Sequence, residues 1–470
     1  MHVIVVGGGI SGLAAAHRLL AAGVRVTVVE SDRRLGGKLR TGQIAGVQVD
    51  LGAESLLARR PEATELAKAV GLGDALRPPS VTSAAIWTRG DLRPMPRGQV
   101  MGVPDSAAAL AGVLSDAGLA RIARDAELPP LRVNEDVGIG ALVAERMGGE
   151  VVDRLVDPLL GGVYAGDAYR ISLRSSVPRL YEAVRAHDSL LAAVRSLRPA
   201  PSPEAARAPV FVGIEGGVGT LAAAVAENVA GRGAVIETGV GVTGLRRTAR
   251  GWAAALDDGR SLVADGVLLA VPAPAAARLL AAEAPAAAGE LGAVEYASMA
   301  IVTLAFRRSE LATLPRGSGF LVPAVEGRTI KAATFTSAKW DWAAAADPGL
   351  FVLRTSVGRF GEESPLAWDD ADLVRVALDD LGEAAGLRAT PVDRVVTRWR
   401  QGLPQYTVGH DTRIARVRGY LAALPGLGLC GAAYDGVGVP ACVGGAERAA
   451  AELLRTLPTG PRGESGEWAS

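Results

Sequence analysis

Cysteine and histidine are scarce in this sequence, and each shortage closes off a class of function. Cys430 and Cys442 are the only two cysteines, too few for a disulfide framework and without the spacing of a thiolate metal site. The four histidines, His2, His17, His187 and His410, are scattered, so no imidazole cluster suggests a bound metal. Charge of one sign is also missing. Lys and Arg total 50, as do Asp and Glu, and a formal charge of zero gives no electrostatic case for binding nucleic acid or an anionic membrane. No apolar run approaches the ~20 residues of a membrane span. The longest candidate, Gly266 to Ala282, is broken by Pro272, Pro274 and Arg278. No basic segment with a cleavage site precedes the first apolar run, so the chain is expected to be cytoplasmic with free thiols. What remains is a globular composition of 470 residues, 49% hydrophobic and rich in glycine (59 residues), long enough for two or three domains.

The first forty residues carry the densest pattern. Val3 to Val6 is a short apolar strand, followed by Gly7, Gly8, Gly9, Ile10, Ser11 and Gly12, which supply G-x-G-x-x-G. An Ala/Leu-rich helix is expected to about Ala22, then a second buried strand from Arg25 to Val29 ending at Glu30. This is the βαβ unit that holds a dinucleotide. Gly7 permits the tight turn, Gly9 lets backbone approach a pyrophosphate, and Gly12 lets the helix pack closely. The helix N-terminus offers free N–H groups and a positive dipole end to the phosphates. Glu30 can accept hydrogen bonds from ribose hydroxyls.

Further along, 106–198 reads as mainly helical, with apolar spacings of three and four in Val151–Leu160 and Val177–Leu197. Pro199–Pro209 is a Pro/Ala-rich segment expected to be a mobile loop. Val235–Glu237, Trp252–Leu256 and Gly266–Val271 read as strands. Met299–Phe306, Thr329–Phe335, Phe351–Val357 and Val392–Trp399 suggest a second, largely separate sheet. Gly428–Gly431 is a last buried strand and Gly444–Leu457 a last helix, before a tail, 458–470, expected to be disordered. The expected organisation is a discontinuous dinucleotide domain (1–55, 210–290 and 420–457), a substrate domain (56–105 and 291–419) and a helical domain (106–198).

Two more glycine signals follow Glu30. Arg33 to Lys38 reads RRLGGK, and Asp50 to Ser55 reads DLGAES; both would bring backbone close to a ligand extending past the pyrophosphate. With them, GGGISGLAAA, E-(x)5-GGK and DLGAES resemble the FAD-binding pattern of the flavin amine oxidase superfamily. LRPMPRGQVMGVP (Leu92–Pro104), PLLGGVYAGDAYRISL (Pro158–Leu173), RWRQGLPQYTVGH (Arg398–His410) and GAAYDGVGVPAC (Gly431–Cys442) narrow the likeness. Together they resemble the protoporphyrinogen/coproporphyrinogen oxidase family, most of all its Gram-positive coproporphyrinogen III branch, from about residue 2 to about residue 455.

The resemblance implies an α/β and α+β protein: a p-hydroxybenzoate-hydroxylase-like FAD domain, a mixed-sheet substrate domain and a helical domain. It implies non-covalent FAD and a six-electron oxidation of coproporphyrinogen III, with O2 as acceptor and H2O2 as product, in heme biosynthesis. It places Gly7 to Gly12, Glu30, Ser31, Gly37 and Lys38 on the ADP half of FAD. It places Gly52, Ala53, Glu54 and Ser55 beside the isoalloxazine, Val242 at the adenine, Trp399 near the flavin, and Val437, Gly438 and Val439 at its pyrimidine end. Reduction puts negative charge there, which helix N–H groups oppose. Gly52-Ala53-Glu54 departs from the family's more usual Gly-Pro, and Ala441 stands where an acid is often found.

A porphyrinogen is a large apolar macrocycle edged by carboxylates, four in coproporphyrinogen and two in protoporphyrinogen, so its pocket calls for an apolar slot with a few cations. Arg60 is the first candidate, followed by Arg97, Lys331 and Arg354, with Arg59 and Lys339 behind them; Leu321 and Thr355 fall on strands that the resemblance turns toward the macrocycle. Tyr406 and His410 are expected to brace the loop carrying Trp399, and no general base is assigned. A ferrochelatase is a pathway expectation as partner, and peripheral membrane contact stays open. The alternatives are protoporphyrinogen IX oxidation, another flavin amine oxidase or desaturase, and, from outside enzymology, a GDP-dissociation-inhibitor-like binder of lipidated proteins that uses no FAD.

Overall fold

The computed structural model describes residues 1–198 and 209–457; 199–208, within the expected mobile loop, and the tail 458–470 lie outside the described residues. The strand His2–Val6 is the middle of a five-stranded parallel sheet, whose order is Val235–Thr238, Arg25–Glu30, His2–Val6, Gly266–Leu269, Leu427–Leu429. Strands covered on both faces read as unbroken apolar runs, which is why VIVV and GVLL do not alternate. One face packs on the helices Ile10–Ala21, Gly219–Gly231 and Val439–Thr456 through residues such as Leu13, Leu221 and Val443. The other packs under Trp252, Ala276 and Ile414. The sheet is thus assembled from three distant stretches of chain. Its order reverses at His2–Val6, and a parallel sheet holds ligands in the crevice at such a reversal, beyond the C-terminal ends of the strands.

A second sheet has seven strands in the order Asp393–Pro404, Tyr296–Arg307, Leu350–Val357, Ile330–Thr334, Gly319–Leu321, Ala85–Thr88, Asp91–Pro94. All neighbours are antiparallel except Gly319–Leu321 with Ala85–Thr88. The helix Asp370–Ala385 closes one face with Leu373, Ala377 and Leu381. The third part is a cluster of helices between Asp116 and Ser196 around its own core, which includes Leu155, Leu160, Leu180 and Tyr406.

Several details differ from the sequence reading. The last helix begins at Val439, five residues before the expected Gly444. The apolar periodicity of Val177–Leu197 is divided between two helices, Pro178–Ala186 and Leu190–Ser196, because the Ser189 side chain accepts from the Ala192 N–H and starts a new helix there. Val151–Leu160 passes through a π turn at Val152–Val156. Residues 56–77, expected in the substrate domain, pack with the parallel sheet instead. Leu56–Leu57 and Leu76–Arg77 flank Phe211–Ile214 in a small sheet, and Ala63 and Leu66 enter the core beneath Val443.

Candidate active site

At the first turn of the helix Ile10–Ala21, a Cβ built on Gly12 would lie 1.8 Å from the Gly7 carbonyl oxygen. The third glycine therefore serves the turn itself, bringing helix backbone onto the loop that precedes it. Glu30 is fixed at the end of the second strand. Its Oε2 accepts from the Gly8 N–H at 2.7 Å and its Oε1 from the Asp32 N–H at 2.8 Å. The GGK turn is tied to the same loop, with the Gly36 N–H donating to the Gly8 carbonyl at 2.8 Å. Lys38 follows, and burial holds its amine below the usual lysine range.

The DLGAES segment comes next. A Cβ on Gly52 would meet the Lys38 carbonyl oxygen at 2.1 Å and Cζ2 of Trp399 at 3.2 Å. Trp399 comes from the far edge of the seven-stranded sheet, opposite Met299, and its Nε1–H donates to the Leu51 carbonyl at 2.9 Å. Replacing Trp399 with phenylalanine leaves that carbonyl without its donor. The expected cost is about 1–3 kcal/mol, measured by urea unfolding of the variant against the parent.

Glu54 is buried. It accepts from the Trp340 indole N–H at 2.7 Å and pairs with Arg354 Nε at 2.5 Å and Lys339 Nζ at 3.2 Å. Burial pushes the Glu54 carboxyl up, but the Arg354 and Lys339 charges and the hydrogen bonds from Trp340 and Lys339 outweigh it and set it at about 2. Arg354 also donates to the Gly52 carbonyl at 2.7 Å. This network braces the DLGAES backbone, and it commits Arg354 and Lys339 to a protein carboxylate.

The late loop ends at Gly438, where the helix Val439–Thr456 begins. Tyr406 and His410 are stacked, with ring centroids 4.1 Å apart. The Tyr406 hydroxyl donates to the Ala432 carbonyl and His410 Nε2 lies 3.0 Å from the Ala433 carbonyl. Burial pushes the His410 imidazole down to about 4, a neutral ring at ordinary pH. The pair braces the loop running into Gly438, where the sequence reading had it bracing the loop of Trp399.

These pieces surround one cavity of about 1120 Å³. One half runs along the C-terminal ends of the parallel strands, past Gly7, Gly9, Ile10, Ser11, Glu30, Ser31, Gly37, Lys38 and Val242. Gly52, Ala53, Glu54, Ser55, Trp399, Val437, Gly438 and Val439 form the waist. The other half lies against the seven-stranded sheet and includes Leu321, Lys331, Arg354 and Thr355. Gly8 and Gly12 stand behind the loop and do not line the cavity. Arg60 and Arg97 are also outside the lining. Arg60 is paired with Glu62 at 2.6 Å, and Arg97 is exposed. Sequence reasoning missed other wall residues, among them Met299, Ile301, Ala332, Thr334, Ser356 and Leu403. Period-two spacing within Tyr296–Arg307 and Ile330–Thr334 was the available signal for four of them.

The family model described as "Flavin containing amine oxidoreductase" matches residues 10–454. The chain belongs to that family. Its cofactor is FAD, and the fold, a parallel dinucleotide sheet joined to a mixed sheet, is that of the flavin amine oxidases. The residues present fit the group: an open loop at Gly9, a fixed carboxylate at Glu30, and a continuous cavity between that loop and a helix N-terminus at Val439. Within the family the chain falls in the protoporphyrinogen/coproporphyrinogen oxidase branch. It is 40% identical over 458 residues to a coproporphyrinogen III oxidase of Mycobacterium tuberculosis (strain ATCC 25618 / H37Rv), covering 96% of this chain and 97% of the relative. It is 34% identical over 474 residues to the coproporphyrinogen III oxidase of Bacillus subtilis (strain 168), covering 97% and 98%. Among solved structures, a protein of Exiguobacterium sp. 255-15 assigned as a protoporphyrinogen oxidase superposes with a TM-score of 0.84 at 32% identity, covering 96% of this chain and 98% of that one.

Proposed function

We propose that this flavoprotein oxidises coproporphyrinogen III to coproporphyrin III in heme biosynthesis, with O2 as the final acceptor and H2O2 as the second product. The observation that supports it is the cavity: an apolar chamber walled by the seven-stranded sheet, continuous with a dinucleotide cradle, in a chain 40% identical along almost its whole length to a coproporphyrinogen III oxidase. Bound FAD supplies a two-electron acceptor, which suits hydride loss from an electron-rich meso carbon.

The chain's own residues hold and orient. Backbone N–H groups at Gly9 to Ser11 and the helix behind them receive the pyrophosphate, and Glu30 receives ribose hydroxyls. Val242 takes the adenine end. Gly52 to Ser55 and Trp399 flank the ring, and Val437 to Val439 present the helix N-terminus to its pyrimidine end. Leu321, Met299 and Ile301 supply apolar wall, and Thr355 stands among them with a buried hydroxyl that has no protein partner. Arg354 is committed to Glu54, while Arg60 and Arg97 stand away from the lining. Of the candidate cations, Lys331 alone both lines the cavity and lacks a partner among the described residues, so the macrocycle is held mainly by apolar contact, with its carboxylates directed to the mouth and to solvent. Among the described residues no helix is long and apolar enough to cross a membrane, so the substrate is met in water or at a surface. Protoporphyrinogen IX is the second reading, favoured by the assignment of the Exiguobacterium relative.

The test is kcat/KM for the two porphyrinogens, read by the appearance of porphyrin fluorescence with O2 uptake. Coproporphyrinogen III is expected to be preferred by at least tenfold, about 1.4 kcal/mol of differential transition-state binding. A preference for protoporphyrinogen IX overturns the substrate and keeps the chemistry. A purified protein that stays colourless after FAD is added would overturn both and revive the non-enzymatic alternative.

A further inference from the structure

Beside the large cavity lies a chamber of about 200 Å³, with room for several waters. The helix Asp157–Tyr164 and the turn after it form one wall. The strand Ile330–Thr334 and the segment from Arg359 to Glu362 form the other. Among the described residues, Lys331 is the one ionisable side chain common to the walls of both spaces.

Departures from regular geometry converge here. Ile330 pairs with Val357 and Ala332 with Ser356, so Lys331 is the extra residue of a β-bulge. The helix that carries Asp157 follows the π turn Val152–Val156. Bulges and π turns recur where a side chain must be re-aimed at a site. Lys331 is buried, and its Nζ has no hydrogen-bond partner. Burial pushes its amine down to about 7, with the Arg359 charge adding to the effect and Asp157 opposing it. Arg359 is itself held by the carbonyls of Val322 and Arg328, at 3.0 and 3.2 Å. Burial raises Asp157 to about 6, against the hydrogen bond from the Ala168 N–H. Asp167 and the exposed Glu362 complete the ionisable groups of the chamber wall. Lysine is rare in this chain, four of its 50 basic residues. It can surrender its charge where arginine cannot.

The proposed oxidation creates a proton problem that the site has to solve. Each two-electron step breaks one meso C–H bond, whose electron pair leaves with hydrogen as hydride to the flavin, and one pyrrole N–H bond, whose electron pair forms the new C=N bond; after the third step the last meso CH2 group passes one proton to a ring nitrogen, so that four meso and two pyrrole hydrogens are lost in all. The released proton needs an acceptor inside the cavity. Glu54 is held ionised by two cations and is a poor base, and Arg354 has no basic lone pair.

We propose that Lys331 is the proton acceptor of the reaction and that the side chamber is the proton's way out. The pyrrole proton bonds to the Nζ lone pair, and the ammonium then passes a proton through water in the chamber to Asp157. Asp157 loses it to water near Asp167 and Glu362, so both residues end each cycle unchanged. The inference rests on the porphyrinogen reading, and makes Lys331 a catalytic residue where the sequence reading had it as a carboxylate partner.

The test is anaerobic rapid mixing of the FAD-loaded protein with coproporphyrinogen III between pH 6 and 9, reading flavin bleaching. In the parent protein the rate should fall on the acid side of about pH 7, as Lys331 becomes protonated. In K331M the maximal rate should drop at least tenfold and lose that acid limb, with half-saturation within twofold; methylamine should restore K331A. Asp157→Asn should also slow bleaching, and it decides the matter if the lysine variants fail to fold. Binding of coproporphyrin III to the FAD-free protein, read by porphyrin fluorescence, should be the same in K331M as in the parent. The opposite pattern overturns the proposal: half-saturation raised at an unchanged maximal rate, porphyrin binding weakened, and both effects absent with the tetramethyl ester, which would make Lys331 a carboxylate partner. Normal bleaching in both K331M and D157N also overturns it and leaves the porphyrinogen reading standing. No bleaching of the parent protein by any porphyrinogen removes the reaction, and the relay with it.

Discussion

A Glu54→Gln protein is expected to lose about 3–5 kcal/mol of stability, the usual cost of removing one partner from a buried ionic cluster. Arg354 and Lys339 would be left facing a neutral amide whose NH2 group cannot accept from either. Trp340 could keep its hydrogen bond only if the amide oxygen turned toward it. In a thermal melt of a chain this long the loss corresponds to a fall of about 3–5 °C. The same residue sets an acid limit. Its carboxyl sits at about 2 in the folded protein, below its ordinary range near 4.5, so its stabilising effect is complete above pH 4.5 and is lost as pH falls toward 2. The size is about 3 kcal/mol by linkage. The Gln variant should be less stable at pH 7 and lack this component of the acid dependence. Urea titrations of both proteins between pH 3 and 7 measure it; parallel curves would mean that Glu54 adds nothing to the acid dependence, and coincident curves that the cluster contributes nothing. Function follows from the same contacts, because Arg354 joins Glu54 to the Gly52 carbonyl at the waist of the cavity.

Gly12→Ala is expected to yield protein without flavin. The new methyl group would sit 1.8 Å from the Gly7 carbonyl oxygen, and that obstacle is backbone, which no rotamer change can clear. Overpacking of this kind costs about 1–3 kcal/mol or more in a core, and here the strain falls on the loop meant to meet the pyrophosphate. Moving the loop by the ångström or more required would break the Gly8–Glu30 and Gly8–Gly36 hydrogen bonds together. The absorbance ratio of flavin to protein after FAD addition and gel filtration reads the outcome. A variant that retains stoichiometric FAD would show that this turn is not the cofactor cradle.

The dinucleotide unit was legible because its causes are local. An apolar run long enough to be buried on both faces, a turn that tolerates no side chain and an acid at the next strand end all lie within thirty residues, and the structure places His2–Val6, Ile10–Ala21 and Arg25–Glu30 within a residue or so of expectation. Four of the seven strands of the second sheet were found for a similar reason, since alternation marks a half-buried strand wherever its partner lies; Ala85–Thr88 and Asp91–Pro94 were not. Partnerships across the chain were not legible. Glu54 meets Arg354 and Lys339 only because two sheets close on one another, and nothing near residue 354 announces an acid near residue 54. Lys331 is recognisable in the sequence as a candidate cation, but its bulge is created by register with Leu350–Val357 and has no signature of its own. Arg60 is a different kind of miss, because the acid that occupies it, Glu62, stands two residues away.

A porphyrinogen seated against the seven-stranded sheet is expected to give up hydride to bound FAD. Anaerobic titration of the flavoprotein with coproporphyrinogen III tests it most directly, reading flavin bleaching and porphyrin formation in the same sample. Three flavins should be bleached for each coproporphyrin formed, since six electrons leave in pairs. A flavin that stays oxidised with every porphyrinogen offered, yet bleaches with a simple amine, would contradict it.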